Sequence, residues 1–172
     1  MALASRWWLA ALALPMFSGH ALAQQPPAGP PTPATSAHFP WTRADAPPTV
    51  VGLRLGDTRA TVETTLGPAP ELRPAGVGVA LEYPELGLSI LLDAGSNVSM
   101  IYLLSRAAGS IDGARVGDAR EQVIARWGEP PLVQGAQAMY PAGDWAVVME
   151  LGEQQRVISI SLGRAYGNTD LQ

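Results

Sequence analysis

The chain has 172 residues, no cysteine and a formal net charge of −4, and all of its basic residues except two histidines are arginines. The missing cysteines exclude disulfides, thiol catalysis, thiolate metal sites and the lipid-modified cysteine of a bacterial lipoprotein. An acidic chain without a basic stripe is not typical of proteins that bind nucleic acid or an anionic membrane surface.

The first 23 residues have the three parts of a secretory signal peptide. Arg6 precedes the short apolar run Trp7–Phe17, and Ala21-Leu22-Ala23 forms a small-residue cleavage pattern. The apolar run is shorter than the ~20 residues that a membrane-spanning helix needs. We therefore expect cleavage after Ala23 and a periplasmic or secreted product without a transmembrane segment or a lipid anchor.

Residues 24–48 are dominated by proline, alanine, threonine and serine. Such a composition buries too little apolar surface to offset the entropy of ordering, so it predicts a disordered tether. The exception is Phe39-Pro40-Trp41. Trp41 either packs back onto the folded domain or serves as an anchor for a partner, since aromatic residues are frequent anchors of interfaces.

Two stretches of the remaining chain resemble each other. Residues 55–69 (LGDTRATVETTLGPA) and 116–130 (VGDAREQVIARWGEP) share several residues at a constant offset of 61 positions. Identical residues at a fixed spacing are typical of a repeated structural unit. We therefore expect repeats at residues 49–107 and 108–164, followed by a tail at 165–172.

Each of these stretches predicts a short helix. Asp57 and Asp118 stand where N-cap residues are expected, and Glu121 completes a capping box with Asp118. Gly67 and Gly128 are placed to end the helices. These five residues are thus predicted to be structural caps rather than catalytic groups.

Alternating apolar and polar residues follow each predicted helix, interrupted by turns. This pattern predicts antiparallel strands, so the expected fold class is α+β, with two tandem repeats that each contain a short helical segment followed by a β-meander. Ile101, Leu103, Ile160 and Leu162 are expected to face the helices.

The Gly-Asp-x-Arg segment, the helix-ending Gly-x-Pro, the Tyr-Pro pairs and the closing strands resemble the BamE-like (SmpA/OmlA) family. A tandem pair of such units is similar to the architecture of the β-lactamase inhibitor protein. The resemblance implies binding to another protein through the sheet or its loops, without catalysis. Two departures are evident, because the family's assembly lipoprotein has a lipidated cysteine and a single unit, and the inhibitor has disulfides.

The sequence contains few residues that could form a catalytic site. After the predicted cleavage site the only histidine is His38, which lies in the tether and lacks the rigid neighbours that a catalytic triad needs. No metal-ligand cluster, phosphate-binding loop or dinucleotide fingerprint occurs. We therefore expect no catalytic, cofactor-binding or metal-binding residues.

One predicted strand face differs between the two repeats. Leu91, Met100, Tyr102 and Leu104 form an apolar row on the face away from the helices, where the second repeat has Ser159 and Ser161, with Val148 nearby. This row is either covered by the tether or tail, or is a binding patch. A second candidate is the turn at Asp144 and Trp145, which could serve as the protruding finger of an enzyme inhibitor.

The leading hypothesis is a non-catalytic, exported protein-binding module of the bacterial cell envelope, related to accessory proteins of outer-membrane assembly. Its partner is expected to be another envelope protein. The alternatives are an enzyme inhibitor of the β-lactamase-inhibitor type and, less favoured, an envelope enzyme of unknown type.

Overall fold

A single antiparallel sheet forms the frame of the molecule. The computed structural model describes Trp41 and residues 45–164. In chain order the elements are α1 (Arg59–Leu66), β1 (Glu71–Ala75), β2 (Gly78–Tyr83), a 3-10 helix (Pro84–Leu86), β3 (Leu88–Leu92), β4 (Val98–Leu103), a second 3-10 helix (Arg106–Ala108), α2 (Arg120–Trp127), β5 (Leu132–Gln134), β6 (Gln137–Ala142), β7 (Trp145–Leu151) and β8 (Val157–Arg164). The strand order in the sheet is β1-β2-β3-β4-β8-β7-β6-β5.

The expected α+β fold of two tandem helix-plus-meander repeats is wrong. Strand β4 pairs with β8, from Met100 opposite Gly163 to Leu103 opposite Ile160, so all eight strands belong to one sheet. The described chain is mostly β-structure, with two α-helices of eight residues each. The sequence similarity lies in the segments around the two helices, and local similarity of this kind does not specify which distant strands pair.

Both helices depend on the sheet for their stability, because isolated helices shorter than ~12–15 residues are marginal in water. Val62 of α1 is fully buried, as are Val123 and Trp127 of α2, which lie four residues apart on one helix face. Gly67 and Gly128 follow the helices at φ of 86° and 81°, a region that favours glycine. Each short helix is thus held by one or two buried side chains.

The helix starts differ from the predicted caps. Thr58 is the N-cap of α1, and its Oγ1 accepts a hydrogen bond from the N–H of Thr61 at 3.2 Å. Ala119 is the N-cap of α2 and has no side-chain acceptor, but its N–H donates to Oε1 of Gln122 at 2.9 Å. The predicted caps at Asp57 and Asp118, and the capping box with Glu121, are therefore not formed.

Asp57 and Asp118 stabilise the turns before the helices instead. The N–H of Arg54 donates to Oδ2 of Asp57 at 2.7 Å, and the N–H of Arg115 donates to Oδ2 of Asp118 at 3.0 Å. Nη1 of Arg106 also donates to Oδ1 of Asp118 at 2.9 Å. Because these carboxylates accept hydrogen bonds from the preceding turns, the residue that follows each aspartate, Thr58 or Ala119, is the N-cap.

The core lies between the sheet and the two helices. Alternate strand positions point into it, and its fully buried members include Leu81, Ile90, Ile101, Leu103, Tyr140, Val147, Met149, Ile160 and Leu162. Each aliphatic side chain buried there stabilises the fold by roughly 1.5–3 kcal/mol relative to exposure. Within the described residues, no helix has the length and apolar composition required to cross a membrane.

Candidate functional site

The candidate partner-binding row lies on the sheet face that is turned away from the helices. Leu91 on β3 is paired with Met100 on β4, and Tyr102 lies opposite Ser89. Leu104 directly follows β4 and is 49% exposed, whereas Leu91, Met100 and Tyr102 are half-buried. These four residues, Leu91, Met100, Tyr102 and Leu104, form one surface that we call the outer patch.

A shallow cavity of about 290 Å³ borders the outer patch. It is lined by Arg73, Ala75, Ala80, Ser89, Leu91, Tyr102 and Leu104. Ala80 and Ser89 are nearly buried and form its floor, because their short side chains leave a depression between the longer neighbours. At the margin, Nε of Arg73 donates to Oε1 of Glu82 at 3.1 Å, so the two charges neutralise each other.

The same face of strands β5–β8 is mixed, since Leu132, Met139 and Val148 lie in one cross-strand row with Ser161. Ser159 and Ser161 of β8 lie there, and the hydroxyl of Ser159 donates to Oε2 of Glu150 at 3.2 Å. Gly163 is paired with Met100, and a methyl group at Gly163 would lie 2.7 Å from Cε of Met100. The missing side chain therefore gives Met100 the space to lean toward β8.

Both edges of the sheet are poorly suited to pairing with another strand. Edge strand β1 contains Pro74, and proline occurs in sheets where its nitrogen faces away from the neighbouring strand. The other edge strand, β5, has three residues and follows Pro130 and Pro131. Short edges and prolines reduce edge-to-edge association, so the faces of this sheet are better candidates for partner binding than its edges.

The turn at Asp144 and Trp145 does not present an aromatic finger. Trp145 is 1% exposed, its Nε1 donates to the carbonyl of Asp45 at 3.1 Å, and its ring centroid lies 5.5 Å from that of Trp41. The Trp41 ring is also 5.0 Å from that of Trp127. Trp41 and Trp145 thus belong to an aromatic cluster at the core, and Asp144 is the exposed residue of this turn.

Two tyrosine hydroxyls connect the helix ends to the sheet. The hydroxyl of Tyr83 donates to the carbonyl of Gly67 at 2.9 Å, and that of Tyr140 donates to the carbonyl of Gly128 at 3.1 Å. Burial, followed by the nearby Glu129 carboxylate, raises the pKa of Tyr140 to about 12. Burial likewise raises the pKa of Tyr83. Both hydroxyls therefore stay protonated as donors at neutral pH.

A second cavity, which the sequence patterns did not indicate, lies beside Tyr83. It measures about 230 Å³ and is lined by Leu66, Pro68, Pro70, Tyr83, Glu85 and Leu86. We call it the Tyr83 pocket. The hairpin β2–β3 closes at Tyr83 opposite Leu88, whereas β6–β7 continues to Ala142 opposite Trp145. The matching Tyr-Pro pairs of the sequence show no sign of this difference in hairpin length.

The described part of the chain contains neither a cluster of three or more potential metal ligands nor a buried polar side-chain atom without a hydrogen bond. His38 lies outside the described residues.

No protein-family model and no curated protein sequence matches the chain. Among solved structures, the fold is similar to an extracellular protein containing a SCP domain from Bacillus anthracis str. Ames, with a TM-score of 0.55 and 11% identity over 64% of this chain and 44% of that one. It is also similar to a cysteine-rich secretory protein from Staphylococcus aureus subsp. aureus Mu50, with a TM-score of 0.55 and 13% identity over 72% of this chain and 50% of that one. A DUF4309 family protein from Bacillus subtilis subsp. subtilis str. 168 overlaps with a TM-score of 0.49, at 13% identity over 66% and 83% of the two chains.

These comparisons correct the predicted family. The similar structures are SCP-domain and cysteine-rich secretory proteins, so the predicted BamE-like membership and the relation to the β-lactamase inhibitor protein are wrong. The short motifs that suggested them lie in turns and helix ends, which unrelated folds share. The chain spans about half the length of the first two proteins, and at this level of identity the similarity concerns the fold alone.

Proposed function

We propose that the chain is an exported, non-catalytic protein-binding module of the bacterial cell envelope, and that the outer patch is its partner-binding surface. Export is supported by the signal-peptide pattern of residues 1–23. A non-catalytic role is supported by the absence of cysteine and by a single histidine, His38, after the expected cleavage site. The expected partner is another envelope protein.

The observation that carries this proposal is the apolar row on the outer sheet face at β3 and β4. Around β3 and β4 the face carries Leu91, Met100, Tyr102 and Leu104, whereas β8 carries Ser159 and Ser161. Antiparallel sheets commonly leave one face in water, and such a face is normally polar. The apolar row at β3 and β4 departs from that rule next to the serines of β8, so stability alone does not account for it.

The chemistry of the outer patch suits an interface. Tyrosine and methionine are enriched where protein surfaces meet, and a tyrosine combines a large apolar ring with a polar end. The adjoining cavity of about 290 Å³ can receive an apolar side chain of the partner beside Tyr102. The Arg73–Glu82 ion pair at its margin supplies the polar rim that interfaces usually have.

The inhibitor alternative is less well supported by the geometry. An inhibitory finger must project an anchor residue into the target enzyme, but Trp145 is 1% exposed and packs against Trp41. The turn at Asp144 and Trp145 therefore exposes no aromatic anchor, and the outer patch remains the best candidate surface for partner binding.

The experiment is site-specific photo-crosslinking in the envelope of cells that produce the full chain. A benzophenone side chain replaces Leu104 in the outer patch or, as a matched control, Ile158, because both residues are 49% exposed. We expect one defined protein adduct from position 104 that position 158 does not give. Mass spectrometry of the purified adduct should identify the partner and show Gln24 as the N-terminus.

A double variant then tests the outer patch itself. Met100→Ser with Tyr102→Ala imitates the small polar side chains of Ser159 and Ser161 on β8, and we expect loss of the adduct with a nearly unchanged melting temperature. A large fall in melting temperature would show that these residues belong to the core. Equal adducts from positions 104 and 158, or an adduct that survives the double variant, would exclude the outer patch as the binding surface.

A further inference from the structure

The Tyr83 pocket occupies a place that the other half of the sheet fills with tryptophan. In both halves a tyrosine hydroxyl donates to the carbonyl of the glycine after the helix, at Gly67 and at Gly128. Beside Tyr140, the Trp127 ring lies 5.3 Å away and meets Trp41 edge to face. These shared hydrogen bonds identify corresponding places, one filled by indole rings and one left as a cavity of about 230 Å³.

The cause of the cavity is the connection between β2 and β3. This connection forms the 3-10 helix Pro84–Leu86, and Leu86 is 40% exposed. In the other half the hairpin extends by two further pairs beyond the tyrosine and brings Trp145 into the core at 1% exposure. Leu66 directly precedes Gly67, and Trp127 directly precedes Gly128, so the two residues occupy corresponding places. The leucine side chain is smaller than that of tryptophan. Two indole rings are thus missing from the first half.

The walls of the Tyr83 pocket suit an aromatic ring. Two prolines, two leucines and the Tyr83 ring line it, and aromatic rings pack well against such surfaces at their faces and edges. The pocket is smaller than the ~300 Å³ from which cavities for drug-sized ligands begin. Its size therefore favours one ring system rather than an extended molecule.

The charge at the rim of the Tyr83 pocket sets a second requirement for the ligand. Glu85 lines the pocket, is exposed and makes no ion pair or hydrogen bond among the described residues. The other nearby carboxylate, Glu63, is already paired with Arg59 at 2.7 Å. A ring ligand is consequently favoured when a positive charge lies close to it.

From this geometry we infer that the Tyr83 pocket binds a tryptophan or phenylalanine side chain of a partner protein, next to an arginine or lysine that pairs with Glu85. The inference is independent of the outer patch, because the pocket lies at the end of α1 and the β2–β3 connection. It assigns the protein a second contact surface.

Titration of the isotope-labelled protein, residues 24–172, with two capped dipeptides tests the inference by NMR. Acetyl-Trp-Arg-amide should shift the amide signals of Leu66, Tyr83 and Leu86. It should bind about five-fold more tightly than acetyl-Trp-Glu-amide, the ratio that roughly 1 kcal/mol between two surface charges gives. The Glu85→Gln variant should bring this ratio close to one. Glu153→Gln, which removes an exposed carboxylate from the turn before β8, should leave it unchanged.

Several results would overturn the inference. Equal affinity for both dipeptides would remove the role of Glu85, as would a preference that persists in Glu85→Gln. Shifts confined to the outer patch would place the ring there instead. Concentration-dependent shifts at Tyr83 without any peptide would assign the pocket to a second copy of this chain.

Discussion

The two halves of the sheet are built alike at the helix ends but differ in where their apolar side chains go. The half with α2 packs Trp41, Trp127 and Trp145 together on the helix side and shows Ser159 and Ser161 beside Val148 on the outer face. The half with α1 has no tryptophan, keeps a cavity beside Tyr83 and places Met100 and its apolar neighbours on the outer face. One half thus fills its interior with large aromatic side chains, whereas the other keeps a cavity at the corresponding place.

The largest difference is expected between the two residues that end the helices. Trp127→Ala should lower the free energy of unfolding by about 3–5 kcal/mol, since the side chain is fully buried and touches two aromatic rings. Leu66→Ala, at the corresponding and half-buried place, should cost about 1–2 kcal/mol. Urea unfolding of both variants measures the difference. Equal losses would mean that the two halves do not differ in how they use the core.

A smaller effect is expected when the aromatic cluster loses its N-terminal member. Trp41→Ala should lower the free energy of unfolding by about 2 kcal/mol, because the residue is half-buried and makes two edge-to-face contacts. Val77→Ala is the control, since Val77 is 89% exposed in the β1–β2 turn and should have almost no effect. An effect of Trp41→Ala no larger than that of Val77→Ala would show that the cluster does not need Trp41.

Sequence reasoning succeeded where the determining contacts are local. Alternation along a strand assigns residues to one face, and Ile101, Leu103, Ile160 and Leu162, expected to face the helices, are all fully buried. The same alternation placed Met100 and Tyr102 on the opposite face. These assignments depend on the two-residue period of a strand and not on the overall topology.

Sequence reasoning failed where the structure depends on contacts between residues that are far apart in the chain. The pairing of β4 with β8, which makes one sheet, involves residues about 60 positions apart and leaves no mark in either segment. Trp145 looked like an exposed finger because its burial depends on the hairpin register and on Trp41, more than 100 residues earlier. The cap prediction was wrong for a different reason. The backbone N–H groups of the turn before each helix bind the aspartate that was expected to cap the helix.

The hydrogen bonds of these two aspartates lead to the smallest expected effect. Both aspartates accept a hydrogen bond from the turn before their helix, but Asp118 also pairs with Arg106, with Nη1 and Oδ1 2.9 Å apart. Asp57→Ala should therefore cost about 1 kcal/mol, and Asp118→Ala about 0.5 kcal/mol more, the scale of an ion pair with an exposed arginine. A double-mutant cycle of Asp118→Ala with Arg106→Ala isolates the pair, and its coupling should shrink as salt is added. If the cycle shows no coupling while Asp118→Ala remains the costlier change, the difference between the two turns must arise from their backbone and not from Arg106.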